Sequence, residues 1–354
     1  MLHLLGKNSR SIVLGLDVSS TTAKLLELSK SGGHYRVESY GVANLPLDAV
    51  IEKTINDIPA LSKSIAQAAA LSETSVTLVA AAVAGSTVIT KLIEMPDGLN
   101  DDALEATLFV EADQHIPYPL EEVALDFEVQ GGSLDLEGYN SVLLAACRKE
   151  TLDARVEAIE AAGLKPTIID IEAFAIERAF ELIQRHLKLD PNSTVAIFDI
   201  GATMTTLSVL HRGRSIYTRE QVFGGKQLTD EIMGRYGLPL EEAGLAKKHG
   251  GLPDDYEPEV LEPFKEAVIQ HISRSLQLFF SSSHYNDVDS IVLAGGVACM
   301  AGLDRLVREK LGTRVVIANP FQGMTMSSKV DAVALQDDAP GLMIACGLAM
   351  RSFD

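Results

Sequence analysis

Positive charge is the scarcest commodity in this chain of 354 residues: 30 Lys and Arg stand against 49 Asp and Glu, a formal net charge of −19. Phosphate-rich surfaces repel such a chain at long range, which excludes general binding of nucleic acid or anionic membrane; a nucleotide, needing only a small local pocket, stays allowed. Cysteine is equally sparse. Cys147, Cys299 and Cys346 lie far apart with no CxxC pair, so neither a disulfide framework nor a zinc ribbon is supported, and a reducing compartment is the simplest setting. The eight histidines form no HExxH or HxH pair, and surface or satisfied core positions explain them better than metal binding. No apolar run reaches the roughly 18 to 20 residues that span a bilayer. Met1 to Arg10 is too short for a signal peptide and lacks a small-residue cleavage site. These absences together predict a soluble cytoplasmic protein. Also missing are a GxxxxGK[ST] loop and a GxGxxG turn after the first strand, which disfavours P-loop and dinucleotide folds.

What is present is ordinary globular composition, 47% hydrophobic and 22% charged, with an internal echo. Ile12 to Ser29 (IVLGLDVSSTTAKLLELS) and Val195 to Leu210 (VAIFDIGATMTTLSVL) each read as an apolar β-branched run, an Asp, small or hydroxyl residues and a second run. Each predicts a β-hairpin with an acid at its turn. Setting Asp17 on Asp199 gives an offset of 182 residues, at which Ser19 meets Gly201, Ser20 meets Ala202, Thr21 meets Thr203 and Tyr35 meets Tyr217. This ungapped echo predicts two domains on one plan. Apolar spacing predicts helices over Asp57–Leu71, Thr151–Ala162, Ile171–Ile183, Gln227–Tyr236 and Pro258–Phe280. Between the halves, about Ser86 to Pro166 reads as an inserted α+β subdomain with an acidic helix over Asp101–Gln114.

The hairpins have a physical use as phosphate clamps. Small residues let backbone N–H groups surround phosphate oxygens, while Ser19, Ser20, Thr21, Thr22, Thr203 and Thr205 add hydroxyls. An Asp repels a triphosphate unless Mg²⁺ lies between them, most often through retained waters. Asp17 and Asp199, facing across a cleft, would hold that metal from both sides. Either hairpin alone is ordinary turn chemistry; two in register are harder to dismiss. A third element, IVLAGGVACMAGL (Ile291–Leu303), places Gly295 and Gly296 after a strand, where a base or ribose can lie against bare backbone.

Asp hairpin, linking helix, second Asp hairpin and strand–Gly–Gly–helix, in that order, resemble the actin/Hsp70/sugar-kinase superfamily. The insert resembles the FtsA-type extra subdomain. EMPDGL, EADQHIPYPLEEVALDFEV, AACRKE, FGGKQLTDEI, AGLAKKHGGLP and SSSHYNDVDSIVLAGG are similar to the PilM family of actin-like type IV pilus assembly proteins. The resemblance implies an α/β fold of duplicated actin-like, ribonuclease H-like domains. The first would span 1–189, with its core at 10–85 and 167–189, the insert at 86–166 and a C-terminal helix from 336–354. The second would span 190–335, with a helical subdomain at about 226–290.

The resemblance also implies an ATP and Mg²⁺ site. Asp17 and Asp199 match the metal-facing acids. Ser19, Ser20, Thr21 and Thr22 match the first phosphate loop, and Gly201, Ala202, Thr203, Met204 and Thr205 the second. Gly224 and Gly225 match a ribose-side contact, Lys247 a lysine beside the adenine, and Gly295, Gly296 and Val297 the adenosine turn. Lys24, on an outgoing strand, reads as a solvated strand lysine. Glu172 stands where actin carries its water-orienting glutamine, and a carboxylate there repels a γ-phosphate. Nucleotide binding is therefore better supported than turnover, and Glu172 is at most a weak catalytic candidate. Implied partners are the cytoplasmic N-terminal peptide of PilN, the pilus motor ATPases and further copies of the chain, with no nucleic acid and no direct membrane insertion. FtsA ends in an amphipathic membrane helix, whereas this sequence stops at Arg351–Asp354 directly after ACGLAM, so recruitment to the inner membrane through a partner is expected. The competing expectation is a small-molecule kinase or ATPase of the same superfamily.

Overall fold

A computed structural model describes residues 12–133 and 136–354; the N-terminal stretch Met1–Arg10 lies outside the described residues. The chain opens with β1 (Leu14–Val18), β2 (Thr22–Ser31) and β3 (His34–Asn44), then a short hairpin of β4 (Val50–Ile51) and β5 (Thr54–Ile55), followed by α1 (Ile58–Ser72) and β6 (Leu78–Val83). There follow β7 (Val88–Pro96), α2 (Asp101–His115), β8 (Val123–Gly132), β9 (Tyr139–Arg148), α3 (Lys149–Ala161), β10 (Lys165–Ile171) and α4 (Glu172–Leu187). The second half runs β11 (Thr194–Ile200), β12 (Met204–His211), β13 (Arg214–Val222), α5 (Lys226–Tyr236), α6 (Leu240–His249), α7 (Glu262–Ser282), β14 (Ser290–Ala294), α8 (Leu303–Leu311) and β15 (Arg314–Ile317). The chain then returns to the first half through β16 (Thr325–Met326), α9 (Ala332–Asp338) and α10 (Met343–Ala349).

The two halves share one sheet plan. The first sheet has the order β10-β6-β1-β2-β3-β16 and the second β13-β12-β11-β14-β15. In each, three antiparallel strands are followed by two parallel ones, the duplication the echo predicts. The 182-residue offset holds in the ladder: Asp17 pairs with Lys24 as Asp199 pairs with Thr206. It fails at the next strand. Tyr217 pairs with Val209, but the residue facing the equivalent Glu27 is Ser39, not Tyr35. The offset there drops to 178, because the β2–β3 hairpin is four residues longer than its counterpart, so the Tyr35–Tyr217 match is a coincidence of sequence.

Local chemistry sets the element ends. Asp57 accepts a hydrogen bond from the Ala60 N–H at 2.9 Å and caps α1, with Pro59 in its first turn. Asn100 caps α2 in the same way, with Asp101 and Asp102 complementing the helix dipole. The helix expected from Pro258 begins with a π-turn over 257–261 and becomes α-helical at Glu262.

Packing decides where the halves meet. The helices α4 and α10 lie between the sheets, and their buried residues join Leu26, Leu28 and Val37 of the first sheet to Val195, Ile197 and Val292 of the second. The outer face of the first sheet is covered by α1 and α3, that of the second by α5 and α7. The sheet β7-β9-β8 and α2 make their own small core from Met95, Leu104, Leu108 and Val142. Helix α3, expected as part of the insert, instead buries Leu152, Ala158 and Ile159 against the first sheet. The insert proper is thus the three strands and α2.

Helix α10 is a wedge. A Cβ on Gly15 of β1 would collide with the Ala345 carbonyl, and one on Gly347 with the Ala175 carbonyl of α4. Below it, Asp170 accepts from Arg178 and Arg351, each at 3.2 Å, and is fully buried. Breaking such a pair strands a buried charge. We expect Gly347→Ala to cost about 3 kcal/mol or more by overpacking this contact, read as a lowered urea midpoint with an unchanged slope.

Candidate functional site: a two-hairpin cleft

Strand periodicity aims both acids at one another. Successive side chains alternate across a sheet, and Leu14 and Leu16 of β1 pack under α1 and α3. Gly15 and Asp17 therefore face α10 and the second sheet. Ile197 of β11 lies in the core between the sheets, so Asp199, two residues on, points into the same space. The hairpin tips touch across it, the Thr203 hydroxyl donating to Ser20 Oγ at 2.8 Å.

The first loop is wired by Ser19, whose Oγ accepts from the N–H groups of Thr21 (3.3 Å) and Thr22 (3.0 Å). In the second, the Gly201 N–H donates to the Met204 carbonyl at 2.9 Å, while the Gly201 and Ala202 carbonyls accept from the Gly225 and Lys226 N–H groups. The start of α5 is thereby bolted to the loop. Thr205 is buried and donates to the Phe223 carbonyl, away from the loop tip. At the far wall, Gly225 approaches Val297 and the Lys247 ammonium, and that ammonium donates to Thr229 Oγ1 at 2.8 Å and to the Gly225 carbonyl at 3.2 Å. Crowding of this end of an otherwise exposed side chain lowers the Lys247 pKa. Gly295, at φ +80°, leaves no room for a Cβ against Ile200 and Asp199, and its N–H donates to the Pro340 carbonyl at 2.7 Å. Gly296 beside it is exposed. The structure thus brings together Gly224, Gly225, Lys247 and Val297 as one cluster, with Gly295 joining it to Asp199.

Lys24 is not a solvated strand lysine. Its ammonium sits 2.9 Å from Asp17 Oδ2 and 2.7 Å from the Gly341 carbonyl, with 17% of its side chain exposed. Both faces of β2 are covered, Leu25 by the outer helices and Leu26 by α10, and Lys24 shares the Leu26 face. Burial opposes its charge, but Asp17 and then Asp199 outweigh that and raise its pKa. Glu172, at the first turn of α4, is buried and paired with Lys53 of the β4–β5 turn at 2.7 Å. Arg155, from α3, is buried near Glu172 and Asp17, with its Nε lacking any hydrogen-bond partner. Sequence reasoning passed over Lys53 and Arg155. Lys53 carries no local signal. Arg155 carries one, a charge within the apolar stripe Leu152–Ala158–Ile159.

Three carboxylates and three cations therefore line one cleft: Asp17, Lys24 and Asp199 from the hairpins, Glu172 from α4, Lys53 from the β4–β5 turn and Arg155 from α3. The burial of Asp199 pushes its carboxyl up to about 6, against the pull of Lys24 and Lys53 and with help from Asp17 and Glu172. The donor set fits a Mg-nucleotide: paired acids for the metal, loop amides and hydroxyls, and a glycine turn whose exposed Gly296 leaves open space beside bare backbone. Among the described residues no three His, Cys, Asp or Glu gather around one point, so a divalent ion would take its remaining ligands from water and phosphate oxygens.

A profile of the type IV pilus assembly protein PilM family matches residues 15–353. The chain belongs to the PilM family. A solved PilM–PilN type IV pilus biogenesis complex contains a chain 26% identical to it, with a TM-score of 0.79 over 98% of this chain and 100% of that one. The cell division protein FtsA of Bacillus subtilis strain 168 is 26% identical over 222 residues, 56% of this chain and 48% of that protein. The ethanolamine utilization protein EutJ of Carboxydothermus hydrogenoformans shares the fold, with a TM-score of 0.56 at 15% identity over 98% of this chain and 92% of its own. The chain spans about half the length of the curated relatives it matches. Its fold is the actin-like α/β fold, and PilM-family membership makes it an actin-like protein of type IV pilus assembly.

The Asp199 shift has a signed consequence. Between its ordinary 3.8 and about 6 the folded protein binds the proton more tightly than the unfolded chain does, so ionisation above pH 6 costs stability. In chelator-treated, nucleotide-free protein, Asp199→Asn should gain on the order of 2 kcal/mol at pH 7.5. Thermal melts should show that gain shrinking as pH falls through 6 and gone near pH 4.

Proposed function

We propose that this chain is an ATP-binding scaffold of the type IV pilus inner-membrane assembly, holding ATP with Mg²⁺ between its halves and docking the cytoplasmic N-terminal peptide of PilN. The nucleotide part rests on one observation: Asp17 and Asp199, supplied by two copies of the same hairpin, act on a single ammonium, Lys24. Ligand-free, Lys24 offsets the like charge that these acids would otherwise present to a phosphate. Bound Mg²⁺ would take over that neutralisation and let both acids tolerate a triphosphate.

The parts of the cleft then divide the work. Ser19 to Thr22 and Gly201 to Met204 border the phosphates and offer hydroxyls and the N–H groups that the loops do not spend on themselves. Gly224, Gly225 and Lys247 border the ribose and base, and Gly295 and Gly296 give the base bare backbone, with the Val297 side chain beside Gly225. Because these residues lie on both sheets, ATP favours the closed arrangement by its differential affinity for it.

Turnover is the weaker expectation. A kinase or fast ATPase needs a free base near the nucleophile, and Glu172 is held in an ion pair with Lys53. PilM-family membership and likeness to the PilM–PilN complex over 98% of the chain support the PilN part. In this reading the chain supports pilus biogenesis and twitching motility, and its nucleotide state tunes contacts with PilN, the motor ATPases and further copies of itself. It reaches the inner membrane through its partner. Among the described residues no helix is long and apolar enough to cross a membrane.

Asp17→Ala and Asp199→Ala should each weaken Mg-ATP binding at least about tenfold in titration calorimetry while leaving far-UV circular dichroism intact; unchanged affinity in both would remove the clamp. An immobilised PilN N-terminal peptide should retain the chain more strongly with saturating Mg-ATP than without. Equal retention in the two conditions would separate the nucleotide from partner binding.

A further inference from the structure

The β4–β5 hairpin turns on Glu52 and Lys53, both at positive φ (45° and 70°). Two-residue turns of this shape are normally built from Asn and Gly, since a Cβ is strained there. Two long charged residues occupy it here. Lys53 leaves the turn for Glu172, 119 positions along the chain, and meets Oε2 at 2.7 Å with 13% and 5% of the two side chains exposed. Strain that aims one side chain into a cleft marks a functional placement. Neither the metal-facing acids nor the base-side cluster accounts for this pair.

The cleft has a direction. Gly225, Lys247 and Val297 crowd its second-domain wall, and the two Asp hairpins meet in its middle. Lys53, Glu172 and Arg155 come from the first half, on the β4–β5 turn, α4 and α3. On the nucleotide reading, a phosphate chain that starts at the base-side cluster and passes between the hairpins would be directed toward these first-domain residues. The charge of Lys53 is felt by Asp17 and Asp199 as well as Glu172, so it lies in the same electrostatic compartment. Arg155 is buried within electrostatic reach of Glu172 and Asp17, with an unpartnered Nε.

We propose that Lys53 is the residue that distinguishes a nucleoside triphosphate from a diphosphate, exchanging the Glu172 carboxylate for the terminal phosphate. This rests on the nucleotide reading above and adds to it a selectivity element. A lysine ammonium suits the exchange: it is a compact charge on a flexible stem with three rotatable donors. The terminal phosphate brings the added negative charge that a diphosphate lacks. Arg155 remains within electrostatic reach of Glu172 after the exchange, so the carboxylate keeps a nearby positive charge. In the ligand-free protein the same pair keeps both groups compensated.

The test is calorimetric titration of Mg-ATP and Mg-ADP into wild type, Lys53→Met, Glu172→Gln and the Lys53→Met/Glu172→Gln pair, with thermal melts confirming folding. Wild type should prefer ATP by about tenfold or more, the scale of one charge-assisted hydrogen bond. Lys53→Met should bring the ratio to within about twofold, mainly by loss of ATP affinity. The double variant, which leaves no buried carboxylate unpaired, should behave likewise even if Lys53→Met alone is unstable. Glu172→Gln, which frees Lys53, should tighten ATP more than ADP. An ATP preference that survives in the double variant, or equal wild-type affinities for the two nucleotides, would overturn the role of Lys53 while leaving the nucleotide site in place. Failure of wild type to bind either nucleotide would overturn both.

Discussion

The constraint on which the centre of this protein depends is charge balance at the meeting of two sheets. Asp17, Asp199 and Glu172 are brought into one cleft by the fold itself, and burial of uncompensated carboxylates is costly. Lys24, Lys53 and Arg155 offset them one for one, in a chain whose acids outnumber its bases by 19. Burial raises the Asp199 pKa despite the pull of Lys24 and Lys53, so its ionised form is held there at a cost. A cleft poised in this way favours a ligand that brings its own cation, and Mg-ATP is such a ligand.

The apolar frame explains why those charges meet at all. Helices α4 and α10 share one core with both sheets, so the halves cannot drift apart at that level. Side-chain-free contacts at Gly15 and Gly347 let α10 approach β1 and α4 at backbone distance. Above this wedge the hairpin tips meet through Ser20 and Thr203, and further out Ser86, just before β7, meets Glu220 of β13 at 2.6 Å. A tight base under a lightly tied mouth is the arrangement in which a ligand can set the opening.

What the sequence revealed followed how local each signal is. Each Asp hairpin is one apolar run, a turn and another run, so both were legible, as were the Gly-Gly turn and the insert as a unit. The echo misled at β3 because hairpin length is set by the turn, and four extra residues leave the apolar alternation undisturbed. Helix α3 was assigned to the insert because chain order says nothing about which sheet covers its apolar stripe. Lys24 was misread by its residue type, although the Leu25–Leu26 pair after it marks a strand covered on both faces. Lys53 reaches Glu172 from 119 positions away out of a turn with no turn residues, and tertiary structure alone discloses it.

Hydrogen–deuterium exchange with and without Mg-ATP tests the central claim most directly. The account predicts that Mg-ATP slows exchange in four separated segments together: the amides of 18–23, of 200–206, of 224–226 and of the 295–298 turn. Slowing confined to the insert strands β7, β8 and β9, or no change in any of these segments at saturating Mg-ATP, would contradict it.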